Sequence, residues 1–371
     1  MRLLDRYLLV EWLKALGLAL GATLAVLLLE DMYSNLSDLL ADGAHGTHVL
    51  TYYWTLLPGF LPAVMPMSQL VSLLFVAGNL HRNHEITAMR AAGLSLWRIA
   101  RPWWVGGAVL AALLGWLDAT VVPASIEQAR QFREQLHRDM ERRTKPATKV
   151  GLVGQLTYEN APAHRRWFIN QYSTDTQRAT GVSIYQLDDQ GNDQSYLLAS
   201  EGYYDTAKGH WVLLKGEEIK FDKEGKAYAD IPFEHDKEEF VELKEDPALM
   251  LTLRQKPDDL SMDEISGALA QSSSTHNGSL DSFAVQYYAF LIKPLICLLV
   301  VGLAIPLAVA GVRTSPMVGA SKAVGLFFAY YVVQGTCTHL GNQHYLPAMI
   351  AAGLPIALML GLSVWLFKRE A

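Results

Sequence analysis

His81 to Pro102 reads HRNHEITAMRAAGLSLWRIARP. It is short, polar and helical in pattern, and a long apolar segment lies on each side of it. Charge of this density does not sit in hydrocarbon, so the stretch lies at a membrane face. Arg82, Arg90, Arg98 and Arg101 stand against one acid, Glu85. Positive charge concentrates on cytoplasmic loops, which puts this corner in the cytoplasm. Glu85 to Ala92 contains good helix formers, with Ala88, Ala91 and Ala92 keeping the surface flat. Gly93 suits a left-handed C-terminal cap and Ser95 the N-cap of a following helix. Two readings fit these residues. One is a basic loop that only sets orientation. The other is a small amphipathic helix that passes movement between a soluble partner and the membrane.

Working outward, a membrane helix needs about 20 apolar residues to cross roughly 30 Å of hydrocarbon. Six segments qualify, at about 12–33, 54–80, 102–123, 284–310, 320–340 and 346–367. Six spans put four basic clusters on one side: Arg2, Arg6 and Lys14; the central corner; Arg313 and Lys322; Lys368 and Arg369. Both termini are then cytoplasmic. The first apolar run is too long for a secretory h-region and has no small-residue cleavage site behind it, so it is expected to be retained.

The middle differs. Residues 151–280 hold 12 Lys and Arg against 23 Asp and Glu, an acidic balance that disfavours nucleic-acid binding. Short runs alternate apolar and polar residues: Gln155–Tyr158, Arg166–Tyr172, Gly181–Gln186, Ser195–Ala199, His210–Lys215 and Glu218–Phe221. Turn signals such as Asp189-Gln190-Gly191-Asn192 and Lys208-Gly209 separate them. That pattern predicts an antiparallel sandwich or open barrel. The expected domains are 1–123 with the corner at about 81–95, a helical stalk at 124–143, the β-domain at 144–260, a short helix and linker at 261–283, and the last helices at 284–371.

Individual residues carry further expectations. Gly17-x-x-x-Gly21 allows close helix contact, or arises by chance in a Gly- and Ala-rich helix. Pro58, Pro62 and Pro66 remove donors from one helix face and suggest a bent, cavity-lining segment or a static kink. Lys293, before Pro294 and about 15 Å inside its segment, either faces a cavity holding an anion such as phosphate, or snorkels, or pairs with Asp118. Cys297 and Cys337 lie inside apolar segments and read as packing residues. His81, His84 and Glu85 give H-x-x-H-E, the wrong order for a zinc protease, and no metal site is expected. There is no G-x-x-x-x-G-K-[ST] and no convincing catalytic set, so ATP would have to be bound by another chain.

Three apolar segments, an acidic β-domain and three more apolar segments resemble the LptF/LptG permeases of the lipopolysaccharide exporter. The resemblance begins at Leu4-Asp5-Arg6-Tyr7 and continues through Glu85-Ile86-Thr87-Ala88-Met89-Arg90-Ala91-Ala92-Gly93-Leu94-Ser95, which looks like the family's coupling-helix signature. Gly181-Val182-Ser183-Ile184-Tyr185, Trp211, Lys293-Pro294-Leu295 and Arg313-x-x-Pro316-Met317 extend it over nearly the whole chain. The opening motif and the Gly181–Tyr185 strand lean toward LptG.

The resemblance implies a 3+3 transmembrane fold with an inserted, jelly-roll-like periplasmic domain in the bacterial inner membrane. It implies a second, LptF-like permease, an LptB-like ATPase dimer holding ATP and magnesium, an LptC-like single-helix subunit, an LptA-like periplasmic bridge, and lipopolysaccharide as cargo. His84, Glu85, Met89, Arg90 and Gly93 would couple to the ATPase. Gly17, Gly21, Pro58, Pro62 and Pro66 would serve the gate, and Lys293 the lipid. One departure is visible: relatives often carry lysines at the outer end of the first helix, where this chain has Glu30-Asp31. The competing classes are an ion-coupled secondary transporter, which would want paired carboxylates or broken helices near the midplane, and a membrane anchor for a lipid-binding domain, which would need only one or two helices.

Overall fold

The computed structural model describes residues 3–144, 151–160, 163–188, 192–222, 226–233, 237–254, 260, 262–271, 278–309 and 316–370. The chain forms two compact units, one from Met1–Arg133 with Asp281–Ala371 and one from Glu134–Leu280. The first unit opens with helices α1 (Leu3–Ala41), α2 (Gly46–Arg82), α3 (Glu85–Ala91) and α4 (Leu96–Trp116). A π-helical turn, Leu117–Val121, then leads into α5 (Val122–Thr144), within which the division between units falls. Strands β1 (Leu152–Asn160), β2 (Arg165–Ser173), β3 (Arg178–Leu187), β4 (Asp193–Asp205), β5 (His210–Phe221), β6 (Ala227–Pro232) and β7 (Lys237–Phe240) follow, then helices α6 (Pro247–Arg254) and α7 (Met262–Gln271). The chain returns through α8 (Gly278–Ile292), a 3₁₀ turn Lys293–Leu295, α9 (Ile296–Val309), α10 (Pro316–Asn342) and α11 (Ala348–Glu370).

Among the described residues, five helical stretches are long and apolar enough to cross a membrane: Leu3–Ala41, Gly46–Arg82, Leu96–Thr144, Ser282–Val309 and Ala348–Arg369. The sixth expected span is present as α10, 27 residues long, but it is not among the five. Lys322, Gln334, Thr336, Thr338 and His339 dilute its apolar content. Large apolar side chains point outward along these helices, among them Leu18, Val26, Trp54, Phe75, Val109 and Val332. Outward Leu, Val and Trp on long helices are what a hydrocarbon solvent selects.

Several boundaries differ from expectation. The first segment, expected to end at about residue 33, is helical to Ala41, because no Gly or Pro interrupts residues 22–42 and Asn35 donates to Asp31 at 3.1 Å, one turn back. Pro123 follows the π turn and sits in the first turn of α5, where its missing N–H is tolerated. The turn residues 189–191, the cap at Ser261 and the corner residue Arg313 lie outside the described residues.

The helical unit is built around α9. All its side chains except Leu298 are buried, so it has no solvent or lipid face. It packs against α2, α4, α10 and α11. Small residues permit this. A Cβ placed on Gly302 would lie 1.9 Å from Ser363 Oγ of α11, and one on Gly319 of α10 would lie 1.9 Å from the Leu307 carbonyl oxygen. At such separations the helix backbones themselves are in contact, which is how apolar helices associate without a hydrophobic driving force.

In the second unit all seven strands join one antiparallel sheet in the order β1-β2-β3-β4-β5-β6, with β7 paired to the first half of β5. This is an up-and-down meander rather than the expected two-sheet jelly roll. Consecutive strands pair with their chain neighbours, so no long crossover divides the sheet. The two short runs His210–Lys215 and Glu218–Phe221 are one strand, β5. Trp167 and Trp211 are fully buried with ring centroids 5.1 Å apart, and Ile169, Val182, Ile184 and Leu213 complete their core.

Gly302→Ala should therefore lower stability by about 1–3 kcal/mol through overpacking, read as a lower thermal midpoint in detergent. Gly17→Ala, with nothing within 4 Å of the added Cβ, should leave the midpoint unchanged or raise it. Equal losses in the two variants would contradict this packing.

Candidate functional site

The polar corner at His81–Pro102 folds through three local devices. His84 adopts a left-handed conformation, φ 61°, and ends the run of α2 so that Glu85 can start a new helix. At the other end of α3 the Gly93 N–H donates to the Arg90 carbonyl at 2.9 Å and the Leu94 N–H to the Met89 carbonyl at 3.1 Å. Gly93 has φ 86°. This is a Schellman cap, with Leu94 and Met89 packed together on the helical core. Ser95 then caps α4 by accepting from the Arg98 N–H. Ile86 is buried while His84, Thr87, Ala88, Arg90 and Gly93 are exposed. Met89 is half-buried and packs against the helical core.

The corner is tied to the start of α1. The Tyr7 hydroxyl donates to Glu85 Oε2 at 3.1 Å. Arg98 grips Asp5 with both guanidinium nitrogens, at 2.8 and 3.2 Å, a bidentate geometry that fixes direction as well as distance. Deeper, the Trp103 indole donates to the Leu8 carbonyl at 3.2 Å and the Trp12 indole to Ser72 Oγ at 3.1 Å. A Cβ on Gly106 would lie 2.2 Å from the Trp12 ring, so that indole has one seat only. Sequence reading quoted Asp5 and Tyr7 in a motif but assigned them no contact. Their partners lie about 80 and 90 residues along the chain, beyond any local pattern.

Above Leu16, α1 changes character. From Gly17 to Asp38 no side chain is buried, and a Cβ on Gly17 or Gly21 would meet nothing within 4 Å. Beside it, Ser68 of α2 donates to the Thr23 hydroxyl at 3.3 Å. Pro58, Pro62 and Pro66 all lie within the continuous helix α2, with Pro62 and Pro66 buried and Pro58 half-buried. At its far end, Asn35 and Asp38 of α1 meet Arg133 of α5, with Arg133 donating to Asn35 Oδ1 at 3.5 Å.

Lys293 occupies the 3₁₀ turn between α8 and α9, half-buried, with its Nζ 6.0 Å above the Phe290 ring. Asp118, in the π turn, is 4% exposed, and neither of its carboxylate oxygens has a hydrogen-bond partner among the described residues. The broken helices not evident in the sequence are thus present, at 117–121 and 293–295.

In the β-unit the buried Glu245 accepts from Asn160 at 2.8 Å and from Arg165 at 3.3 Å, pinning the chain after β7 onto β1 and β2. Beside it lies a cleft of about 890 Å³ whose walls include Ile184, Leu197, Phe221, Tyr228 and Phe240. Phe168, Tyr185, Tyr196 and Phe221 form an aromatic ladder across β2 to β5, with successive centroids 5.3, 4.3 and 4.5 Å apart. The Tyr196 hydroxyl donates to Asp193, and that bond, together with burial and the carboxylate's field, pushes the phenol up to about 12.

Long outward-apolar helices enclosing a fully buried one, with a β-sheet unit inserted between them, define a multi-pass membrane protein carrying a β-domain. The profile of the family described as lipopolysaccharide export system permease LptF/LptG matches residues 6–369, and the chain belongs to that family. Its members are non-catalytic subunits of the bacterial inner membrane, and the profile covers LptF and LptG together. No curated protein was found to match the chain.

Removing the fork with Arg98→Ala should free the first turns of α1. Amide hydrogen exchange over residues 3–8 should rise by roughly tenfold. Exchange there equal to wild type would show that the fork does not hold α1.

Proposed function

We propose that this chain is one of two permeases in an ATP-driven exporter that extracts lipopolysaccharide from the outer leaflet of the inner membrane. The match along residues 6–369 carries this reading. A second, LptF-like or LptG-like permease completes the membrane cavity. ATP and magnesium are held by an LptB-like ATPase dimer below it, and LptC-like and LptA-like proteins continue the path across the periplasm. The chain crosses the membrane six times, with α10 as the fifth span, both termini in the cytoplasm and the β-domain in the periplasm. The polar residues of α10 then face the cavity or the partner rather than lipid, as intramembrane polar groups do.

In this reading α3 docks in the ATPase through its exposed face, and Glu85 passes the ATPase's movement to α1 through Tyr7, with Asp5 and Arg98 holding the same joint. The open face of α1 at Gly17 and Gly21 meets the partner permease and forms its side of the lipid gate. Of the α2 prolines, the half-buried Pro58 lines the cavity behind it, and the buried Pro62 and Pro66 shape that helix from within. Lys293 meets a phosphate of the lipid head group, a role that the acidic Glu30-Asp31 region does not supply. Acyl chains leave along the apolar wall of the β-domain cleft, since each CH₂ kept from water is worth about 0.8 kcal/mol. The ion-coupled reading gains little from the two broken helices, because they hold one carboxylate and one lysine rather than a carboxylate pair.

Purification of the tagged chain from native membranes should recover a second six-helix permease and a P-loop ATPase; recovery of the chain alone, under conditions that preserve other membrane complexes, would refute the reading. Glu85→Lys should insert normally, yet lose transport and ATPase binding. Gly17→Leu combined with Gly21→Leu should leave the isolated chain folded and weaken capture of the partner permease, with unchanged capture excluding that face as the contact.

A further inference from the structure

Two membrane helices lose their regular geometry. The π turn at Leu117–Val121 interrupts the path from α4 to α5, and the 3₁₀ turn at Lys293–Leu295 interrupts the path from α8 to α9. The 3₁₀ turn packs against the end of α4, just before the π turn: a Cβ on Gly115 would lie 3.3 Å from Pro294 Cγ. The 3₁₀ turn is held from α2. The Gln69 amide of α2, itself fully buried, donates to the Cys297 carbonyl at 3.0 Å, one turn beyond Lys293. π turns inside α-helices are concentrated at functional sites, because they re-aim a side chain that a regular helix would point elsewhere.

Each interruption carries one ionisable side chain, and the two have opposite charge. Asp118 is buried, and neither oxygen has a hydrogen-bond donor among the described residues. A carboxylate so placed is tolerated only with a nearby cation. The 3₁₀ turn packed against the end of α4 supplies a cation, Lys293. Yet Lys293 is not closed onto the carboxylate: its ammonium lies 6.0 Å above the Phe290 ring and its side chain is half-buried. A four-carbon stem at this position can turn inward to the carboxylate or outward to an anion arriving at the helix surface.

We propose that Asp118 is an internal counter-ion that competes with the phosphate groups of a bound lipid for Lys293, and so sets how long the lipid is retained. The proposal rests on the reading above that Lys293 meets a head-group phosphate. Without lipid, the lysine's charge is balanced by Asp118. An arriving phosphate draws the ammonium outward. On release the carboxylate recaptures it, which keeps binding reversible at a site where a lone buried cation would hold an anion too tightly.

The test uses the complete exporter in nanodiscs, loaded with radiolabelled lipopolysaccharide and chased with unlabelled lipid without ATP. A parallel series uses enzymatically dephosphorylated lipopolysaccharide. Asp118→Asn should slow release of the phosphorylated lipid by about tenfold, since truncating one member of a buried charge pair acts on the off-rate. It should leave the dephosphorylated lipid unaffected. Lys293→Met should speed release of the phosphorylated lipid, and the double variant should match Lys293→Met alone. Release from Asp118→Asn at the wild-type rate or faster, or equal slowing of both lipids, would overturn the proposal while leaving Lys293 as a phosphate contact. Equal release from wild type and Lys293→Met would remove that contact and the proposal with it. If Asp118→Asn does not assemble, Asp118→Ser removes the charge with less bulk and is read against the same outcomes.

Discussion

The helical unit depends on one constraint, the burial of α9 on all sides. A helix with no outer face can be accommodated only if its neighbours approach to backbone distance, and the glycines supply that approach. Gly302 lets α11 in and Gly319 lets α10 in. Gly107 does the same for α4, where an added Cβ would lie 2.6 Å from Val301. In hydrocarbon, packing of this kind replaces the hydrophobic driving force that a water-soluble core would use. The consequence is a rigid centre, against which the outer helices are free to differ in how firmly they are held.

α1 shows that difference along its own length. Its first four turns are clamped by Asp5–Arg98, Trp103 and Trp12, and from Gly17 to Asp38 no side chain is buried. A helix fixed at one end and open at the other is a lever with its pivot near Leu16. The clamp shares Arg98 with the cap of α4 and reaches Glu85 of α3 through Tyr7, so the short helix and the lever are joined by polar contacts of defined geometry. Charge-assisted, bidentate bonds suit such a joint, because they resist rotation as well as separation.

The β-unit follows a different logic. Its sheet is held by a buried tryptophan pair and by Glu245, whose buried carboxylate is matched by Arg165 and Asn160. Here one oxygen of a buried carboxylate, Oε1, has partners in hydrogen-bonding contact, while Oε2 has none among the described residues. At Asp118 neither oxygen has one. The contrast separates a carboxylate that only fastens structure from one whose cation is still free to move.

Much of this was legible in the residues alone. Apolar runs of about 20 residues marked the membrane segments, alternation marked most strands, and Gly93 and Ser95 marked the ends of the corner helix, because these signals are local and follow from backbone geometry and solvent. The same locality explains the misses. The extent of α1 to Ala41, the merging of two runs into β5 and the meander order of the sheet depend on which neighbours each segment finds, and propensity is silent on that. The candidate site divides the same way. Lys293 and Glu85 stood out by sequence, as lone charges in unfavourable surroundings. Only the tertiary structure decided that Glu85 is bonded to Tyr7, that Met89 packs against the helical core, and that the turn holding Lys293 lies against the end of α4 just before Asp118, because each of those contacts joins residues far apart in the chain.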